Sequence, residues 1–310
     1  MSILSVRDLH KTYLGKKPFK AVQGISFDLN EGEILGLLGP NGAGKTTTIQ
    51  MLMSTLTPTK GDIFYFGKDF LKHRSEILQY VTFASTYVSL PWSLTIEQNL
   101  DVYGRLFCQS PKDFGKRCDL LLERFGILSK KRSRISELSS GQITRLMLVK
   151  AFMIGPKIVL LDEPTASLDP DIAHDVIQFI LEQREKEKVS ILFTSHNMAE
   201  VSEVCDRVLF LRKGKIYADD LPQNLAKRAA QSRIELIIAE GMEKALNVAK
   251  KLNMEAIADH RCLKLKLDEA QIASFLSSLA DAKVNYSGIE IIQPTLEDFF
   301  LKAAGASDEL

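Results

Sequence analysis

Little in this chain of 310 residues points to a membrane span, a metal cage or a disulfide framework. Its four cysteines, Cys108, Cys118, Cys205 and Cys262, lie far apart with no C-x-x-C pair. That spacing excludes a zinc ribbon and a stapled secreted scaffold, and it suits a reducing cytosol. The five histidines lack metal-ligand spacing as well. No run reaches the roughly 18 apolar residues of a membrane helix, and the opening residues lack the apolar stretch of a secretory leader. If this protein serves a membrane, another chain supplies the spans. Charge of one sign is also missing: 40 Lys and Arg face 39 Asp and Glu, for a net +1. Nothing there draws a nucleic acid, so none is expected as a partner. Hydrophobic residues make up 45% of the chain and charged residues 25%, enough for a proper core in one large domain or in one large and one small.

What the chain does have is a complete phosphate-binding loop. Gly39-Pro40-Asn41-Gly42-Ala43-Gly44-Lys45-Thr46 fits G-x-x-x-x-G-K-[ST]. The apolar run Ile34–Leu38 precedes it and a helix-compatible stretch from Lys45 to Met53 follows, which is the strand–loop–helix setting the motif requires. Glycines let successive backbone N–H groups turn inward around phosphates, and the helix N-terminus adds partial positive charge. Lys45 then reaches the β- and γ-phosphates, and the Thr46 hydroxyl ligates Mg²⁺.

Around this loop the chain alternates buried strands with helices. Ile158–Leu161 and Ser190–Thr194 are apolar runs too short for helices and right for buried parallel strands, with a helix from about Pro170 to Lys186 between them. Before the loop, Ile3–Val6, Lys11–Tyr13, Ala21–Val22 and Ile25–Leu29 read as short antiparallel strands, and Gly61–Gly67 as another. From Ile96 to Glu137 the pattern is helical, with Pro111 and Gly126 as breaks. Composition changes after about Lys215, and 219–232 reads as a helical connector. Beyond it the order is β-α-β-β-α-β, the split βαβ or ferredoxin-like arrangement. The domains expected are therefore 1–218 and 219–310, and a cut after about Arg212 is expected to leave the first one folded.

Leu160-Leu161-Asp162-Glu163-Pro164 delivers two carboxylates at the carboxyl end of a buried strand, where α/β sheets place their ligand crevice. Asp162 is suited to the Mg²⁺ shell, and Glu163 to orienting or deprotonating an attacking water. Leu138-Ser139-Ser140-Gly141-Gln142 opens a helix. Read alone, it is equally an anion-binding concavity or a simple N-cap.

Taken in this order, the motifs resemble the nucleotide-binding subunit of ABC transporters. The P-loop comes first, then the signature Leu138–Gln142, the Asp162-Glu163 box, Ser167-Leu168-Asp169 as the D-loop, and His196 after the third buried strand as the switch histidine. The likeness covers about residues 1 to 220. It implies an α/β, P-loop NTPase core of ABC type with an N-terminal antiparallel β subdomain and a helical subdomain, followed by the small C-terminal α+β domain. It further implies ATP and Mg²⁺ as cofactors. Tyr13 would stack on adenine. Gly39, Pro40, Asn41, Gly42, Ala43, Gly44, Lys45, Thr46 and Thr47 would hold the phosphates, with Thr46 and Asp162 on the metal. Lys45, Glu163 and His196 would be catalytic. Ser139, Ser140, Gly141, Gln142 and Asp169 would complete composite sites across a head-to-tail homodimer.

Two departures from the family pattern stand out. Ser140 occupies the place of a glycine in the signature. The glutamine that usually follows the Tyr80-Val81 strand is missing, and its place falls to Phe83 or Ser85 depending on register. A serine supports a water-mediated Mg²⁺ contact and a phenylalanine does not, so low basal hydrolysis is expected. The loop from Ala84 to Ser93, carrying Pro91-Trp92, is expected to face a permease. Pro294–Leu301 resembles the closing motif of ATP-binding subunits that serve ABC-2-type exporters. The reading is thus an ATPase subunit that drives a separate ABC-2-type membrane permease from the cytoplasmic face of the membrane, with export the expected direction. The alternative is a soluble ABC ATPase acting on a ribosome, DNA or a protein complex. Such relatives usually show two cassettes in one chain, a long coiled coil or Fe–S cysteines, and the sequence has none of these.

Overall fold

The structure, a computed structural model, describes residues 1–15, 17–85, 90–107, 111–229, 232–267 and 269–305. The chain divides into two compact units, Met1–Pro222 and Gln223–Leu310.

The first unit opens with two long antiparallel strands, β1 (Ser2–Tyr13) and β2 (Phe19–Asn30). Each stands where the sequence pattern suggests two short strands. They are continuous because β-bulges absorb the irregular positions: the pairing shifts between Val6 and Leu9, where Asp8 takes a φ of 45°. Strand β3 (Ile34–Leu38) is buried along its whole length and feeds the phosphate loop and helix α1 (Lys45–Leu52). Strands β4 (Lys60–Tyr65) and β5 (Lys68–Asp69) complete an antiparallel sheet of order β2-β1-β4-β5.

After the short helix α2 (Arg74–Ile77) comes β6 (Val81–Ser85). The helical region holds α3 (Ile96–Leu106), α4 (Pro111–Arg124) and α5 (Ser140–Phe152). Pro111 marks the expected break: α3 ends at Leu106 and α4 starts at Pro111, where a first helical position needs no N–H. Gly126, at φ 66°, follows the end of that helix. Thr95 and Gln98 close a reciprocal capping box on α3.

Then follow β7 (Ile158–Asp162), α6 (Pro170–Glu187), β8 (Ser190–Thr194), α7 (Met198–Val204) and the hairpin β9 (Arg207–Arg212) with β10 (Lys215–Asp220). The second sheet has the order β10-β9-β3-β8-β7-β6, parallel except for the β10 edge. One core joins both sheets and α1: Leu4, Ile25 and Leu29 pack with Ile49 and Leu52 and with Leu35, Leu160 and Leu192. The β9–β10 hairpin has no clear strand pattern in the sequence, where Asp219 and Asp220 fall in the expected connector. They pair with Leu209 and Val208, and the connecting helix α8 spans only Pro222–Ala229.

The second unit contains β11 (Ser232–Glu240), α9 (Met242–Lys251), β12 (Glu255–Asp259), β13 (Cys262–Leu267), α10 (Glu269–Asp281), β14 (Asn285–Ile292) and α11 (Leu296–Gly305). Its antiparallel sheet runs β12-β13-β11-β14, the strand order of the ferredoxin-like arrangement expected from sequence. Alternation sets the face: Ile234, Leu236, Leu263 and Leu265 turn inward onto Ala245 and Ala249 of α9 and Phe275 and Leu279 of α10.

Candidate active site

The site forms where β3, β7 and β8 deliver their carboxyl ends side by side. Two glycines shape the phosphate loop, because a side chain has no room at either. A Cβ on Gly39 (φ 145°) would sit 2.2 Å from the Leu211 carbonyl oxygen, and one on Gly44 (φ 107°) 2.6 Å from that of Ala21. The β9–β10 hairpin clamps the loop from outside, with the Gly214 N–H donating to the Ala43 carbonyl at 3.0 Å. Gly44 is the N-cap residue of helix α1, which has no side-chain cap and no acidic residue in its first turn. Its leading N–H groups and dipole are thus left for an anion.

Lys45 folds back over the loop, its Nζ donating to the Gly39 carbonyl and, at 3.3 Å, to that of Pro40. Burial holds its ammonium below the ordinary lysine value, and the Glu163 and Asp162 carboxylates oppose that shift. Lys45 therefore faces both acidic residues. Asn41, Gly42 and Thr46 are exposed at the mouth of the loop.

Asp162 ends β7 opposite Thr194 of β8 on one side and Ser85 of β6 on the other. The Thr194 hydroxyl donates to Asp162 Oδ1 at 2.7 Å, and the Ser85 hydroxyl donates to Oδ2 at 3.4 Å. The register question left by the sequence is thus answered: Ser85 stands beside the carboxylate, while Phe83 pairs with Leu160 and packs on the core. Of the loop expected to face a permease, residues 86–89 lie outside the described residues, and Trp92 is exposed.

Glu163 leaves the strand in the left-handed region, at φ 54°. Its N–H donates to both the carbonyl and the hydroxyl of Thr194, each at 3.1 Å. That conformation costs of order 1–3 kcal/mol for a side-chain-bearing residue, and it breaks the strand alternation that would send two neighbouring carboxylates to opposite faces. Glu163 instead meets His196, whose Nδ1–H donates to Oε2 at 2.9 Å. A carboxylate only accepts, so Nδ1 carries a proton in this contact; the histidine side chain is 74% exposed.

Tyr13 lies at the end of β1 with its hydroxyl 3.5 Å from Thr47 Oγ1, and the Lys11 ammonium stands 5.6 Å from its ring centroid. The base-stacking candidate is thereby next to the phosphate-loop helix. Ser139 caps α5 by accepting from the Gln142 N–H at 3.3 Å, while Gln142 Oε1 accepts from the Ser139 N–H at 3.0 Å. The capping role is therefore filled within the segment itself. Ser140 sits in the first turn with no positive φ, so its Cβ meets no backbone penalty. Gly141 lies against the Ser167–Leu168 turn, where a Cβ would be 3.4 Å from the Ser167 carbonyl. Asp169 is the N-cap residue of α6, ahead of Pro170. A cleft of about 780 Å³ runs between this turn and the end of β8, lined by Glu163, Ser167, His174, His196 and Glu200 among others.

Sequence reasoning missed Thr194. It is the pivot between Asp162 and Glu163, but its part depends on a pairing between strands that no local pattern encodes.

A phosphate loop, a facing lysine and a paired Asp–Glu at strand ends define a P-loop nucleotide-triphosphate-binding protein. The family model described as ABC transporter matches residues 22–166. The Nod factor export ATP-binding protein I of Rhizobium johnstonii is 30% identical over 99% of this chain and 96% of its own length. The linearmycin resistance ATP-binding protein LnrL of Bacillus subtilis is 29% identical over 98% of each chain. A solved ATP-binding subunit of an ABC transporter superposes with a TM-score of 0.68, at 26% identity, over 73% of this chain and 93% of that one. The chain belongs to the ATP-binding subunits of ABC transporters. It is accordingly an ATPase that acts with a membrane partner. Among the described residues no helix is long and apolar enough to cross a membrane.

Proposed function

We propose that this subunit binds Mg-ATP in composite sites of a head-to-tail homodimer and drives export through a separate ABC-2-type permease at the cytoplasmic face of the membrane. The observation that carries the reading is the convergence of Lys45, Asp162, Glu163 and His196, bridged by Thr194, beside an uncapped helix start. Export is supported by what the two relatives' names say of those proteins, resistance and Nod factor export, and by the tail Pro294–Leu301.

In this reading Gly39–Thr47 hold the phosphates through backbone N–H groups, and Lys45 neutralises the β- and γ-oxygens. Tyr13 stacks on adenine. Glu163 accepts the proton of the attacking water, and His196, held by its Nδ1–H bond to Glu163, lies beside the γ-phosphate. Ser139, Ser140, Gly141 and Gln142 of the partner copy close over the phosphate, with Asp169 beside them. The two identical ATP sites lie across the one isologous interface of a C2 dimer.

The donor set fits Mg²⁺. Among the described residues no cluster of three or more His, Cys, Asp or Glu offers an all-protein cage. One carboxylate, Asp162, stands with hydroxyls on either side, which matches an ion that keeps several waters and shares phosphate oxygens. Thr46 and Asp162 would hold it, with Ser85 reaching it through water. Bound there, Mg²⁺ neutralises charge on the β- and γ-phosphate oxygens.

Lys45→Ala is expected to abolish binding in a fluorescent-nucleotide titration, because the desolvated cradle loses its main counter-charge. Wild type reconstituted with a six-helix permease in inverted membrane vesicles is expected to load them only with hydrolysable ATP. An unchanged dissociation constant for the lysine variant would remove the nucleotide site, and ATP-driven emptying of the vesicles would remove the export direction.

A further inference from the structure

Two loops carry the reacting pair of this site. One leaves β7 with Glu163 and Thr165, and the other leaves β8 with Ser195 and His196. Both are tied to a single carboxylate that the mechanism above does not use. Glu200, in the first turn of α7, is half-buried, and its Oε2 accepts from the Thr165 hydroxyl at 2.7 Å and from the Ser195 hydroxyl at 2.9 Å. Its Oε1 accepts from the Asn197 side-chain amide at 3.2 Å. Ser195 Oγ in turn accepts from the Asn197 N–H at 3.0 Å, which holds the turn just after His196. Thr165 and Ser195 are both buried. Their hydroxyls therefore have a strong reason to stay on this acceptor: unpaired, each costs about 1–3 kcal/mol of desolvation.

We propose that Glu200 is the positioning residue of the ATPase site, holding the Glu163 loop and the His196 loop in the one relative placement that lets the two side chains meet. The proposal rests on the ATPase reading of Glu163 and His196 given above. Glu200 touches no reacting atom itself, because its oxygens are taken up by the three donors. Its action is geometric. One rigid, charged acceptor shared by two loops fixes the distance between them, and the 2.9 Å contact between His196 Nδ1 and Glu163 Oε2 is the consequence. A shift of about 1 Å in such a contact costs up to roughly a hundredfold in rate. The phosphate loop takes no part in this network, so nucleotide affinity is expected to be independent of it.

Steady-state ATP turnover of E200A, E200Q and T165V in the full chain tests this, with rates expressed per nucleotide-binding site titrated so that any unfolded fraction drops out. E200A is expected to lose roughly 10- to 100-fold in kcat, with KM for ATP within about twofold of wild type. E200Q keeps the length and one acceptor oxygen, and the hydroxyls can rotate to receive its amide, so it is expected to recover most of that loss. T165V cuts one of the three bonds without changing shape and is expected to lower kcat less than E200A, again at constant KM. T165V also serves if E200A does not fold. A kcat within twofold of wild type in E200A, or in T165V where that variant stands in, overturns the proposal. So does a rise in KM at unchanged kcat, or an E200Q as impaired as E200A. E163Q measured alongside separates the two levels. If E163Q turns over normally, the ATPase assignment fails. If E163Q is dead while E200A is normal, only the positioning role fails.

Discussion

Thr194→Val removes one hydroxyl and almost no volume, so its effect isolates the bond to Asp162. Thr194 is 1% exposed, and its Oγ1 both donates to Asp162 Oδ1 at 2.7 Å and accepts from the Glu163 N–H at 3.1 Å. The Glu163 N–H keeps a partner in the variant, because the Thr194 carbonyl accepts it at 3.1 Å. Asp162 Oδ1 loses a short, charge-assisted donor and faces a methyl group in its place. Leaving that acceptor unsatisfied costs about 1–3 kcal/mol. At roughly 2–4 °C per kcal/mol for a unit of this size, the middle of that range lowers the unfolding temperature by about 4–8 °C. Scanning calorimetry of the full chain measures it, in the transition that added ATP moves upward, which belongs to the nucleotide-binding unit. Because Asp162 is then less firmly aimed, the Mg²⁺ concentration for half-maximal turnover is expected to rise, with nucleotide affinity in the absence of metal unchanged. Thr194→Ser restores the hydroxyl and is expected to restore both properties. An unshifted transition together with an unshifted Mg²⁺ requirement in Thr194→Val would refute the reasoning.

A chain ending at Pro222 is expected to fold and keep ATP turnover, whereas one ending at Arg212 is expected to be insoluble or to lose nucleotide binding. The shorter cut removes β10 and Gly214, whose N–H bonds to Ala43 and whose carbonyl accepts from Gln23, and circular dichroism with nucleotide titration compares the two. Lys150 is half-buried, with its ammonium 4.6 Å from the centroid of the Tyr103 ring, and burial pushes it down to about 8 from the ordinary 10.5. Between those values the unfolded chain holds a proton that the folded one has released, so stability rises with pH across that window and the burial penalty is complete below it. Urea midpoints of K150M and wild type are therefore expected to favour the variant at pH 7 and to converge toward pH 10.

The parts of the site that are contiguous in sequence were legible there. Gly39–Thr46 and Asp162-Glu163 declare themselves because backbone cradle, lysine and paired acids each depend on near neighbours along the chain. The β-α-β-β-α-β order of the second unit was legible for the same reason, since buried Ile234, Leu236 and Ile238 alternate with less buried neighbours. What failed was whatever depends on strand pairing. Phe83 and Ser85 were equal candidates until the pairing of Ser85 with Asp162 decided between them. The β9–β10 hairpin was overlooked because no residue of the edge strand β10 is fully buried and only Ile216 packs on the core, so the strand carries little apolar signal. The left-handed turn at Glu163 follows from two bonds to Thr194, a residue thirty-one positions away. No local propensity points to it.

Glu163→Gln, followed by size-exclusion chromatography with light scattering in Mg-ATP, bears most directly on the ATPase reading. The amide keeps the shape of the side chain but cannot take a proton from water. The expected result is intact ATP binding, loss of nearly all turnover, and an ATP-dependent dimer that persists through the column. A variant that stays monomeric with ATP, or that hydrolyses it near the wild-type rate, would contradict the assignment of Glu163 and of the composite site built around it.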